Sequence, residues 1–343
     1  MRCLYLFHGL WTSSRVLSVA AGALATVASM AAPSYAAVVS FGSGDNTFNM
    51  DFVTIGNPGN AADNTGVPNP AGAVGYEYGI GKFEVSEDMI TKYNANFGTA
   101  NSLVITQDNR GSAKPATSVS WNEAARFVNW LNTNTGNQAA YKFTSSGVNH
   151  NIALWTSGEA GYDVNNKYRN SLAKYVLPSY NEWYKAAYYD PSNSTYYDFP
   201  TGSNSAPTAV ASGTGTGANG NNEAVYDGQS GPADVNLAGG LSPYGVMGLG
   251  GNVFEWEESS SNLLNSSVSS SRGFRGGGWI FGPDVLSSST RGSDAPSSES
   301  YGLGFRVASL SSSAPPAVPE PSMMVIGTLF GLGGLMAKRR MKK

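Results

Sequence analysis

Gly251-Asn252-Val253-Phe254-Glu255-Trp256, Phe274-Arg275-Gly276-Gly277-Gly278-Trp279 and Gly304-Phe305-Arg306 set charged residues among glycines and large aromatics. Residues 252–257, 273–280 and 305–310 read as short strands. A charge in apolar surroundings needs partners. Arg275, Arg291 and Arg306 are therefore expected to pair with Glu182, Glu255 or main-chain carbonyls, since a planar guanidinium serves several acceptors at once. Trp121, Trp183, Trp256 and Trp279 are expected as core aromatics first and sugar-stacking platforms second. Gly276-Gly277-Gly278 permits close backbone passage and does not follow a phosphate-loop pattern. Strand alternation places Glu255 and Glu257 on one face, and Glu257 and Glu258 are expected at a solvated strand edge.

Working outward, three helix starts are legible. Ser86 precedes Glu87 and Asp88, with Met89, Ile90, Tyr93 and Phe97 on one face. Ser120-Trp121-Asn122-Glu123 and Ser179-Tyr180-Asn181-Glu182 are both capping boxes. Residues 76–85 read as a further strand. Two low-complexity segments, 201–222 and 259–271, read as long surface loops, and 309–316 as a linker. The fold class expected is α+β, loop-rich, with short strands and few helices.

Of the 343 residues, 41 % are hydrophobic and 13 % charged, which excludes a disordered chain. The formal charge of −3 comes with no basic stripe, so no nucleic-acid partner is expected. Arg2 and Arg15, an apolar run over 16–32 and Ser34-Tyr35-Ala36 have the three-part order of a secretory signal peptide, residues 1–36, with signal peptidase as the processing partner. Removing it takes away the single cysteine, Cys3, and leaves His150 as the one histidine. At the other end Val318-Pro319-Glu320-Pro321 precedes an apolar stretch over 323–336 and a basic tail over 338–343. That stretch is short of the ~20 residues of a spanning helix. Its terminal position still favours membrane contact, with the tail cytoplasmic. Between the ends lie 14 basic and 23 acidic residues, a body of net charge −9. Such a body is not expected to bind polyanions without help from a cation.

The C-terminal arrangement resembles the PEP-CTERM sorting signal, which implies processing by an exosortase, transient inner-membrane anchoring and delivery to a Gram-negative-type cell surface or extracellular matrix. The body, 37–310, is read as one domain that over roughly residues 51–308 resembles a formylglycine-generating-enzyme (sulfatase-modifying factor) domain, with 311–343 as linker and sorting signal. Its ordered motifs are Tyr78-Gly79-Ile80-Gly81-Lys82-Phe83-Glu84-Val85-Ser86, Pro115 to Ala125, Leu177-Pro178-Ser179-Tyr180-Asn181-Glu182-Trp183, and the three stretches quoted first, with Asn252, Gly276, Gly277 and Phe305 among them. The resemblance implies a variant of the C-type-lectin fold.

The same resemblance implies an oxidase using two copper-binding cysteines in the loop after Arg-Gly-Gly, here residues 280–290. That loop carries no thiol. Soft Cu(I) selects thiolates, so no copper is expected. No iron is expected either, because one histidine cannot build a three-histidine site. His150 reads as an exposed loop residue. Calcium-binding members imply a site from the Gly251 and Val253 carbonyls and the Glu255 carboxylate, here weakened by Gly248 where a side-chain ligand would stand. These readings lead to an exported, non-catalytic module binding a polysaccharide or peptide, with no catalytic residue assigned. The alternative is a metal-dependent oxidase of the same superfamily acting on an exported protein, and a third reading is a matrix filler.

Overall fold

A computed structural model describes residues 37–215 and 221–310. The signal-peptide and sorting-signal readings, with Cys3, His8 and the apolar stretch over 323–336, lie outside the described residues. Among those described, no helix is long and apolar enough to cross a membrane.

A hairpin that the sequence reading missed opens the domain. Strands β1 (Ala37–Phe41) and β2 (Phe48–Ile55) pair antiparallel. The alternation Phe48-Asn49-Met50-Asp51-Phe52, with the aromatics and Met50 buried, carried its signal, and the turn residues 42–46 connect the strands. β3 (Tyr78–Gly81) and β4 (Tyr175–Val176) follow. The short pairs β5 (Tyr189–Asp190) with β6 (Thr195–Tyr196), and β7 (Thr208–Ala209) with β8 (Glu223–Ala224), come next. β9 (Phe254–Ser260), β10 (Arg272–Arg275), β11 (Gly292–Asp294), β12 (Leu303–Gly304) and β13 (Ala308–Leu310) complete the set. One antiparallel sheet has the order β1-β2-β3-β13-β4; the second has the order β11-β10-β9-β12, with β12 parallel to β9.

All four strands depart from the spans read off the sequence, and the one read over 76–85 is confined to β3, Tyr78–Gly81. β9 starts after Asn252, whose φ of 57° is incompatible with extended chain. β10 stops at Arg275 because Gly276 and Gly277 take φ of 96° and 81°. Of the segment read as one strand over 305–310, only Ala308–Leu310 is strand, as β13 of the first sheet; residues 305–307 cross to it from β12 of the second. Arg306 sits at that crossing, fully buried.

Helices α1 (Glu87–Tyr93), α2 (Trp121–Asn134) and α3 (Tyr180–Tyr188) start where their caps predict. In α2, Ser120 Oγ accepts from Glu123 N at 3.2 Å and Glu123 Oε2 accepts from Ser120 N at 2.8 Å. Ser120→Ala is expected to cost about 1–2 kcal/mol, read from the urea midpoint. The helices pack Phe127, Leu131, Trp183 and Ala187 into one aromatic-rich core with Phe52, Tyr175, Trp256 and Phe305. Two parts of the low-complexity segments are not surface loop: Ser259 and Ser260 are buried in β9, and Thr208–Ala209 forms β7.

Candidate functional site

Strand β9 carries Glu255, Glu257 and Glu258, all fully buried. The solvated edge expected for Glu257 and Glu258 is therefore corrected: β9 is an interior strand between β10 and β12, and arginines make its carboxylates tolerable there. Arg306 donates from Nε to Glu255 Oε2 at 2.6 Å and from Nη2 to Oε1 at 2.5 Å, while Trp183 Nε1 donates to Oε2 at 2.8 Å. Arg306 also donates to the carbonyls of Gly81 and Met247, at 2.8 and 2.9 Å. Glu257 accepts from Arg275 Nε at 2.8 Å and Arg291 Nε at 2.7 Å. Arg275 reaches on to the carbonyls of Val67 and Thr290.

Glu182 does not pair with any of the three arginines expected for it. Its partner is Arg169, which the sequence reading did not single out. Arg169 Nη1 and Nη2 each lie 2.9 Å from a Glu182 oxygen, and Nε lies 2.8 Å from Glu258 Oε1. Tyr76 and the Ser179 amide also donate to Glu182, and Tyr141 and Asn166 to Glu258. Burial opposes the charge of Glu182, but the Arg169 guanidinium outweighs it and holds this carboxyl below its ordinary value. At Glu258 burial wins over Arg169 and the pKa is raised. One guanidinium shared by two carboxylates explains the difference. Each acid of this ladder is a bracing element between sheets, loops and α3, with its oxygens already occupied.

Trp121, Trp183, Trp256 and Trp279 lie in the interior, and the first and third anchor the backbone. Trp121 Nε1 donates to Glu257 O and Trp256 Nε1 to Val119 O, both at 2.9 Å. Asn252 Nδ2 donates to Glu84 Oε1 at 2.8 Å, and its Oδ1 accepts from Ala233 N. Phe305 is buried against Phe127. His150 is exposed.

An open cleft lies elsewhere, on one face of α2. Arg126, Asn129, Trp130 and Thr133, at helical spacing, line a cavity of about 370 Å³ together with Phe97, Phe143 and Trp155. Asn129 fixes the wall formed by the loop: its Nδ2 donates to Tyr141 O at 2.6 Å and its Oδ1 accepts from Tyr141 N at 2.8 Å. Arg126 lies over the Phe143 ring at 3.8 Å and donates to the carbonyls of Val148 and Ser145. Burial pushes its pKa down. The cleft is assembled by the fold from separate segments, with Phe97, Arg126, Phe143 and Trp155 each from a different stretch of chain.

A family model described as a sulfatase-modifying factor enzyme 1-like domain matches residues 31–310. The chain belongs to that family. Its architecture is shared with Treponema denticola variable protein 1, at 18 % identity over 81 % of this chain and 99 % of that one, with a TM-score of 0.52. It is also similar to CarF, at 18 % identity over 76 % and 98 % of the two chains, with a TM-score of 0.50. At that identity the likeness is one of fold. No curated protein matches the sequence.

Within this family scaffold, the segment after Arg-Gly-Gly forms a short 3-10 turn, Pro283–Leu286, that buries Leu286 and leaves Ile280 and Phe281 partly exposed. The calcium set of Gly251, Val253 and Glu255 does not fit the observed geometry. Both Glu255 oxygens hold the Arg306 guanidinium, whereas calcium requires six to eight oxygen ligands and would meet that positive charge directly. Among the described residues, no group of three His, Cys, Asp or Glu side chains is placed to hold a metal ion.

Proposed function

We propose that this chain is an exported, non-catalytic binding module for a glycan or peptide, built on a sulfatase-modifying-factor scaffold related to the C-type-lectin fold. The observation that carries this reading is that the single cysteine stands at position 3, ahead of the matched domain. The domain therefore lacks the thiols that the family's oxidase chemistry uses, and its buried carboxylates are closed by arginines. The aromatic cleft on α2 supports binding, since ligand sites are concave and mostly apolar with a few placed polar groups. The reading includes cleavage by signal peptidase near residue 36, exosortase processing at Pro319-Glu320-Pro321, transient membrane anchoring through 323–336, and residence at the surface or in the matrix.

Binding of the purified protein to matrix polysaccharides and surface peptides tests the reading, alongside metal analysis. Saturable binding with no stoichiometric iron or copper is expected. One iron or copper per chain, or no binding to any member of either panel, would overturn it.

A further inference from the structure

The cleft on α2 holds a cation that the fold does not neutralise. Arg126 is 7 % exposed, yet among the described residues no carboxylate lies within ion-pairing distance of it. Nε and Nη2 are used on carbonyls, and Nη1 has no hydrogen-bond partner. The contrast with Arg169, Arg275 and Arg306, each closed by a buried glutamate, is chemical: those three brace the interior, whereas Arg126 borders an open cavity. A buried guanidinium without a counter-ion is costly by itself, and an anion arriving beside it recovers that cost.

The other lining groups restrict what the anion can be attached to. Trp130 and Trp155 supply aromatic surface, Trp155 half-buried, while Phe143 carries the Arg126 guanidinium on its face. Such faces pack against rings that present an apolar C–H face. The wall from α2 has its peptide groups bonded within the helix, and among the described residues no strand of either sheet lines the cavity, the bridge of Lys142 being already paired with Ala153, so an extended peptide finds no sheet edge to join. Lys142 at the rim is closed by Glu159 at 2.8 Å, which leaves Arg126 as the lining cation without a carboxylate partner.

Resting on the binding-module reading above, we infer that this cleft takes a carboxylated sugar ring, a hexuronate residue of an oligosaccharide, its apolar face on the aromatic walls and its carboxylate beside Arg126. The −9 body repels a polyanion at long range. Contact with one or a few uronate units inside the cleft is a local event that moderate salt, by screening that repulsion, does not abolish.

Tryptophan fluorescence and calorimetry of the purified protein test this, with oligogalacturonate, its carboxyl-reduced neutral counterpart and acidic peptides as probes. Oligogalacturonate is expected to quench the fluorescence and bind at least about tenfold tighter than the reduced sugar. Trp155→Ala is expected to weaken it by about tenfold or more while the protein stays folded. Arg126→Gln is expected to remove the preference for the charged sugar; should that variant unfold, the salt dependence of oligogalacturonate binding to the unaltered protein, set against that of the reduced sugar, reports on the cationic contact. Equal binding of charged and neutral sugars, unchanged affinity in a folded Trp155→Ala, or binding of peptides alone each overturns the uronate assignment while leaving a binding module in place. Binding of none of the probes overturns the uronate assignment as well, and the broad panel of polysaccharides and peptides then decides whether the module reading falls with it.

Discussion

Arg169→Met is expected to destabilise the protein by at least about 4 kcal/mol, because it strands two buried carboxylates at once. Glu182 and Glu258 are both fully buried, and this one guanidinium lies 2.8–2.9 Å from three of their oxygens. Its Nη2 also holds the Leu177 carbonyl at 2.9 Å, so the loop leading into α3 loses its tie as well. Methionine has a similar volume, which separates lost charge pairing from a simple cavity. A control is available at the surface: the half-buried pair Lys92–Asp88, at 2.8 Å and four residues apart on α1, should yield less than about 1 kcal/mol on Lys92→Met. Urea denaturation of both variants checks the contrast. Equal midpoints for the two would mean that the interior ladder contributes no more than a surface pair.

Stability should also fall as pH rises from about 5 to about 8, chiefly through Glu84. Its side chain is 1 % exposed, Oε1 accepts from Asn252, and Oε2 has no hydrogen-bond partner. Burial raises its pKa from 4.5 to about 7, against a partial offset from Arg306; nearby Glu255 adds to the rise. Gly248 packs so close that even a Cβ there would meet the carboxyl, so position 248 cannot supply a side-chain donor. Between 4.5 and about 7 the folded protein keeps a proton that the unfolded chain has released. Stability is therefore greatest below that window and declines through it, by roughly 3 kcal/mol for a shift of this size. Glu123, also pushed up to about 7 by burial, acts in the same direction. Glu182 has the opposite sign: its lowered pKa contributes stability above the ordinary carboxylate range that is lost in acid. Urea midpoints from pH 4 to 9 should thus peak near about pH 5. Glu84→Gln should flatten much of the decline, and an unaltered slope in that variant would remove Glu84 as its source.

Local rules were enough for much of this architecture. The capping boxes at Ser120 and Ser179 involve residues three apart, so their geometry is written in the chain, and the helices begin where those residues stand. The hairpin over 37–55 obeyed an equally local rule, period-two alternation, and was legible though unread. Strand ends were less so, because a positive φ at Asn252 is a property of the packed turn around Glu84 and Ala233.

The site divides along the same line. From the sequence alone came the family motifs, the absence of cysteine from the body and the demand that its arginines find acceptors, since each follows from residue identity. Which acceptor each arginine found depended on contacts up to 225 residues apart, as between Arg306 and Gly81. Only the tertiary structure could replace the expected partners of Glu182 by Arg169, turn Glu257 and Glu258 from a wet edge into the interior, and fill the calcium carboxylate with a guanidinium. Only it could gather Arg126, Phe143 and Trp155 around one cavity, because burial and pairing are set by which distant segments share a desolvated volume.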